Sequence, residues 1–304
     1  MDIEVLGTLA VREQGVSITP TAPKPRQVLA LLALHADQVV PVSALIEELW
    51  AGAPPRSART TLQTYVLQLR ALIASALDHG AGEAAGAGTD IGSGPGVGAG
   101  GAGGTGIRSA GLRRTAKDVL VTLPGGYLLN SGGGTSDVRE FDRLAGMGYR
   151  AMDADDFPGA ARLLREALSL WSGPAFADVQ GGAQLDMEAR RLEETRLCAL
   201  DQRIEADLRL GRHRELLAEL TVLASRYRTH ENLHGQFMLA LHRSGRRGEA
   251  LDVYQRLRAT LVRELGIEPS AALRRLQRSI LMAAPENQLD NAAKAAAERL
   301  VRVG

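Results

Sequence analysis

Cysteine is almost missing from this chain of 304 residues: Cys198 is the single one. An internal disulfide is therefore excluded, and a reducing, intracellular setting follows. Charge of one sign is missing too. Thirty-six basic residues face 35 acidic ones, leaving a formal net charge of +1. No bulk excess argues for a nucleic-acid partner, so any basic surface must come from placement. No run approaches the ~18 consecutive apolar residues of a membrane span. The opening MDIEVLGTLAV lacks the basic n-region and long apolar core of a signal peptide. Together these absences predict a soluble, cytoplasmic protein with no membrane partner. There is also no G-x-x-x-x-G-K-S/T run, which removes the phosphate-cradling loop of common NTPases.

Against this near neutrality stands one stretch, residues 54–73, PPRSARTTLQTYVLQLRALI, with Arg56, Arg59 and Arg70 and no acidic residue. Two prolines launch it, and its apolar positions recur at helical spacing. On a helix, Leu62, Tyr65, Val66, Leu69, Leu72 and Ile73 fall on one side and should pack inward. The other side carries Arg56, Ser57, Thr60, Gln63, Thr64, Leu67 and Gln68, with Arg59 and Arg70 at its edges. These groups suit nucleic acid: arginine addresses guanine or phosphate, glutamine adenine, and threonine or leucine a thymine methyl. A plain solvated helix face is the bland alternative, and the position of the helix in the chain decides against it.

At 304 residues the chain allows two domains, at roughly 100–200 residues each. Residues 3–11, IEVLGTLAV, alternate like a strand, and GVSI at 15–18 is a short companion. KPRQVLALLALHA at 24–36 predicts a largely buried helix. QVVP at 38–41 is extended, and SALIEELW at 43–50 is a second helix with Ser43 as its cap. The basic stretch is thus a third helix. A glycine-rich low-complexity loop spans 80–111, too poor in apolar groups to offset its ordering entropy. After it, VLVTLPGGYLLN at 119–130 reads as a hairpin about Pro124, Gly125 and Gly126. Two strands, three helices and a hairpin in this order predict a winged helix-turn-helix.

Beyond residue 137 strand signals vanish and helical stretches follow at 140–152, 159–171, 184–210, 214–227, 231–244, 248–265 and 270–283. Gly211-Arg212 recurs as Gly245-Arg246, an offset of 34 residues, which is the period of tetratricopeptide-type helix pairs. The fold class is therefore multidomain, α+β then all-α: an N-terminal winged helix-turn-helix followed by an α-helical tetratricopeptide-like repeat domain that serves as a platform for protein contacts.

Several blocks then resemble one family. VLGTLAV, KPRQVLALLALHA, PVSALIEELW, APPRSARTTLQTYVLQLRALI and LPGGYLL are similar to the OmpR-type DNA-binding domain of the Streptomyces antibiotic regulatory proteins. LWSGPAFADV at 170–179, residues 191–213 and residues 237–273 resemble the bacterial transcriptional activation domain that follows it there. The resemblance implies domains at 1–135, holding the loop at 80–111, and at 136–284, with a C-terminal tail at 285–304. It implies a sequence-specific activator of a secondary-metabolite (antibiotic) gene cluster. Such an activator binds tandem direct repeats of double-stranded DNA near a promoter, self-associates there and recruits RNA polymerase through its sigma factor. The chain resembles the family's small members, without an attached nucleotide-binding module. Carried over by position, the recognition helix is 56–72 and the wing turn 124–126. The DNA-facing set is Arg56, Ser57, Arg59, Thr60, Gln63, Thr64, Leu67, Gln68 and Arg70, with Gly125 and Gly126. No catalytic set, metal site or cofactor is expected, and the chain is not an enzyme.

Two patterns compete with this reading. His230-Glu231-Asn232-Leu233-His234 matches H-E-x-x-H of zinc peptidases, but it opens a helix inside the 34-residue repeat. The residues 98–103 fit G-x-G-x-x-G without a preceding strand or following helix, as glycine-rich sequence does by chance. Trp50, Trp171 and Cys198 read as packed apolar groups. The alternative from another class is a helical-repeat interaction scaffold whose winged domain does not bind DNA.

Overall fold

The computed structural model describes residues 1–86 and 114–282. The glycine-rich segment beyond residue 86 and the tail 285–304 lie outside the described residues. The chain divides into two compact units, one of residues 1–141 with 170–194, the other of residues 142–169 with 195–304.

In the first unit, the stretch 3–11 is not one strand. β1 (Asp2–Glu4) and β2 (Ala10–Glu13) pair antiparallel with Ile3 opposite Val11. The alternating apolar pattern runs through the reversal because Val5, Leu6 and Leu9, in the connection, are buried as well. β3 (Val16–Ser17) completes the sheet. Gln14 and Gly15 both take positive φ, 52° and 81°, the combination that a two-residue type I′ hairpin requires.

Helix α1 (Pro23–Leu34) begins with proline at its first turn and buries Val28 through Ala33 continuously, as its near-unbroken apolar run predicts. β4 (Val39–Pro41) leads into α2 (Val42–Trp50). Pro41 occupies the N-cap position with no side-chain cap bond, so Ser43 lies inside the helix and is not its cap. Ala51 and Gly52, both at positive φ, turn the chain after α2. α3 (Ala58–Gly86) follows. It starts two residues later than expected and continues well past residue 72, into the segment expected to be loop. A four-residue helix, α4 (Ala116–Val119), opens at Thr115, whose N–H and hydroxyl both donate to the Asp118 carboxylate, at 2.8 and 2.7 Å; no sequence pattern announces it. β5 (Leu120–Leu123) and β6 (Gly126–Leu129) form the hairpin, and β6 also pairs with β4, giving the order β4-β6-β5. Proline's fixed φ at 124 and a φ of 84° at Gly125 match the two central positions of a type II turn. The core between the helices and this sheet contains Leu29, Leu32, Leu45, Leu62, Leu69, Ile73, Leu120 and Leu129.

Residues 170–194 close onto the first hairpin by backbone bonds: Ser172 N–H donates to Leu6, Phe176 to Val5 and Ala177 to Gly7. Trp171 is buried with its ring edge-on to Phe141, centroids 5.6 Å apart; Trp50 is only half-buried. Asp178 accepts from Leu9 N–H at 2.8 Å and pairs with Arg26. Glu48 of α2, 2% exposed, accepts from the N–H groups of Gly182, Gln184 and Leu185. Those are unpaired donors at the start of α7 (Ala183–Arg209), and a carboxylate there satisfies both their hydrogen bonding and the helix dipole.

The remaining helices are α5 (Asp137–Asp153), α6 (Phe157–Ser169), α8 (His213–Arg226), α9 (Glu231–Arg243), α10 (Arg247–Leu265) and α11 (Ala271–Leu281). In the second unit the repeated Gly-Arg pair has a structural cause. Gly211 and Gly245 both take left-handed φ, 75° and 79°. In each case the following arginine N–H bonds back five residues, Arg212 to Asp207 and Arg246 to Leu241, a Schellman ending. α9 packs with α8, α10 and α11 around Leu220, Leu233, Met238, Leu241, Leu257 and Leu276. Cys198, expected to be packed, is exposed. Among the described residues no helix is long and apolar enough to cross a membrane.

Candidate nucleic-acid interface

α3 separates its residues by face. Ala58, Leu62, Val66, Leu69, Ile73 and Ala76 are buried, and the helix packs on α1, α2 and α4. Tyr65 is half-buried, while Leu72, placed inward by the helical wheel, is exposed at 36%. Arg56, Ser57, Arg59, Thr60, Gln63, Thr64, Leu67 and Gln68 are all exposed, and Leu67 reaches 63%. Arg56 and Ser57 precede the helix, and the Ser57 carbonyl accepts the first helical bond, from Thr61 N–H. The Thr64 hydroxyl donates to the Thr60 carbonyl at 3.1 Å. Arg56, Arg59, Gln63 and Gln68 make no side-chain hydrogen bond or ion pair among the described residues. Their donors therefore remain available to a partner. Arg59 borders a depression of about 410 Å³ that it shares with Val42, Ile46 and Glu47 of α2.

Arg70 is different. It is half-buried, and its guanidinium donates to the Leu120 carbonyl from Nε at 3.1 Å and Nη2 at 2.7 Å, and to Thr122 Oγ1 at 2.7 Å. It joins α3 to β5, 50 residues further along the chain. The two wing glycines also part company. Gly125 is exposed at the turn with open space about it, whereas a Cβ at Gly126 would lie 2.5 Å from the Val40 carbonyl oxygen. Gly126 is thus a packing position between β6 and β4. The structure brings Arg56 through Gln68 together on one surface and gives Arg70 and Gly126 duties inside the fold. One cation escaped the sequence reading: Lys117 is exposed on α4, which packs against α3. A four-residue helix next to a glycine-rich segment has too few positions to show a periodicity.

The zinc-peptidase pattern has a different use here. His230 caps α9, its Nδ1 accepting from Leu233 N–H at 3.3 Å, and its Nε2 lies 3.7 Å from Asp201. His234 Nδ1 bonds to the His230 carbonyl at 3.1 Å. Among the described residues no three His, Cys, Asp or Glu side chains group as metal ligands do.

Comparison with known proteins fits this geometry. Residues 15–81 match the family model "Transcriptional regulatory protein, C terminal", and residues 136–281 match "Bacterial transcriptional activator domain". The chain is 49% identical over 285 residues to the regulatory protein DnrI of Streptomyces peucetius, covering 94% of this chain and 93% of that one. The chain belongs to the Streptomyces antibiotic regulatory protein family. It is a transcriptional activator and not an enzyme. The activator is also 33% identical to the regulatory protein AfsR of Streptomyces coelicolor, over 92% of its own length but only 24% of that protein's. Among solved structures it resembles Mycobacterium tuberculosis EmbR in complex with a low-affinity phosphopeptide, with a TM-score of 0.76 and 30% identity over 99% of the activator and 70% of that chain. A winged-helix region followed by a helical domain is the shared fold.

Proposed function

We propose that the exposed face of α3 lies in the major groove of double-stranded DNA, with the wing turn at Pro124 and Gly125 beside it. The observation that carries this reading is a single helix whose buried stripe anchors it while Arg56, Arg59, Gln63 and Gln68 bond to no other side chain or backbone group among the described residues. In that pose Gln63 and Gln68 suit adenine edges, and Leu67 with the Thr60 and Thr64 methyls suits thymine. The amino end of α3 and Lys117 meet phosphates. The domain division at 135/136 and the DNA-facing set apart from Arg70 and Gly126, which hold the wing, belong to this proposal.

The family resemblance extends the reading. The activator binds tandem direct repeats near promoters of an antibiotic biosynthetic cluster in more than one copy, and recruits RNA polymerase through its sigma factor. Copies on one face of the duplex need repeat centres about one helical turn, roughly 10–10.5 base pairs, apart. Footprinting on promoters near the encoding gene tests this. A protected direct repeat is expected, Arg59→Ala lowering the salt slope of binding by about 0.9 and Gln63→Ala relaxing the base preference at one position. If no repeat is protected and neither variant changes binding, the winged unit is a protein-interaction module instead.

A further inference from the structure

The helical unit holds a pocket that DNA recognition does not use. It lies between α8 and α10, which open two successive helix pairs of the 34-residue repeat, and has a volume of about 490 Å³. That is inside the usual ligand-pocket range of roughly 300–1,000 Å³, and stacked helix pairs characteristically present concave surfaces to extended partners. Phe237, Val253 and Leu257 form an apolar floor.

Three guanidiniums, of Arg228, Arg256 and Arg263, line it. Arg228 and Arg263 share one carboxylate, Glu264, at 3.2 and 3.0 Å. Arg256 forms no ion pair among the described residues; Glu249, which feels its charge, is bonded by Arg246 Nε and Nη2 instead. The pocket is therefore short of negative charge. It also contains an acceptor. His234, 7% exposed, has Nδ1 engaged with the His230 carbonyl, and a backbone carbonyl can only accept. Nδ1 therefore carries the proton, and Nε2 is left with a lone pair.

Cations, an acceptor and an apolar floor together fit a peptide better than an inorganic anion, which brings neither an N–H nor an apolar body. We propose that this pocket holds a short segment of a partner protein in which an acidic side chain neighbours an apolar one. The carboxylate sits at Arg256, a backbone N–H donates to His234 Nε2, and the apolar side chain rests on Phe237 and Leu257.

The test uses the full chain without DNA and fluorescence anisotropy of a fluorescein-labelled hexapeptide of alternating aspartate and leucine. The same peptide with asparagine for aspartate is the control. Saturable binding of the aspartate peptide is expected, with Arg256→Gln weakening it about tenfold through loss of a charged hydrogen bond and Arg59→Gln leaving it unchanged. Arg256→Gln should keep wild-type affinity for promoter DNA, so failure here is separable from failure of the DNA reading. Absence of saturable binding, equal binding of the asparagine peptide, or insensitivity to Arg256→Gln would overturn the proposal. Weakening by Arg59→Gln would move the peptide to α3 and overturn it as well. Binding of hexanoate as tight as that of the peptide would replace the peptide with a small organic acid.

Discussion

Arg70→Gln separates an arginine that holds the winged unit together from the arginines proposed to contact DNA. The native guanidinium gives two bonds to the Leu120 carbonyl and one to Thr122 Oγ1. Leu120 itself is fully buried. A hydrogen bond to a charged group is worth about 1.5–3 kcal/mol, and an abandoned buried carbonyl costs about 1–3 kcal/mol. Two of the three bonds share one acceptor and Arg70 is half-exposed, so the sum must be discounted for solvent. About 2 kcal/mol of destabilisation is the expected result, visible as a lower urea midpoint with an unchanged slope. DNA affinity should fall with it, because β5 is no longer tied to α3. The dependence of affinity on salt should not change, since no phosphate contact is lost. Arg59→Ala should behave oppositely, with stability unchanged within about 0.5 kcal/mol and a salt slope lower by about 0.9. If Arg70→Gln were as stable as the native protein yet lowered the salt slope by about one, its guanidinium would be a phosphate ligand and the structural assignment would be wrong.

Glu48→Ala leaves three N–H groups at the start of α7 without their acceptor and should cost about 3 kcal/mol in chemical denaturation; a loss under about 1 kcal/mol would contradict the capping role. Gly126→Ala forces a methyl to within 2.5 Å of the Val40 carbonyl and should destabilise by about 1–3 kcal/mol, whereas Gly125→Ala meets only the left-handed backbone cost of about 1 kcal/mol; comparison of thermal midpoints distinguishes them. Burial pushes the His234 imidazole below its ordinary value of 6.5, so as pH falls through that value the unfolded chain takes up the proton first. Stability should therefore be present above it and lost on acidification, and His234→Gln should flatten that part of a stability-versus-pH curve.

What the sequence made legible was local. The inward stripe of α3 from Leu62 to Ile73, the buried run of α1 and the 34-residue recurrence of Gly-Arg depend on neighbours within one or two helical turns, and each helix of the repeat region lies within three residues of its expected bounds. The misplaced strand has a long-range cause. Residues 3–11 alternate as a single strand would, yet the chain reverses inside them because residues 172–177 supply backbone partners for Val5, Leu6 and Gly7. Nothing within the stretch reports those partners.

The same limit explains the two site residues with other duties. A helical wheel puts Arg70 at the edge of a polar face and cannot say whether phosphate or a strand 50 residues away receives its donors. A Pro-Gly-Gly turn shows that one glycine needs a positive φ, but not that the other sits against Val40. Distant carboxylates do comparable work on the first hairpin and on α7. Asp137 accepts from Val5 and Leu6 N–H at 2.6 and 2.8 Å, Asp178 from Leu9, and Glu48 from donors up to 137 residues away. Each places an anion on backbone N–H groups that the regular elements leave unpaired, which is cheaper than burying them unsatisfied. Residues 170–194 are therefore integral to the compact unit that presents α3. The exposed face of α3 is set by helical periodicity, while the unit that presents it is held by polar contacts that no local pattern encodes.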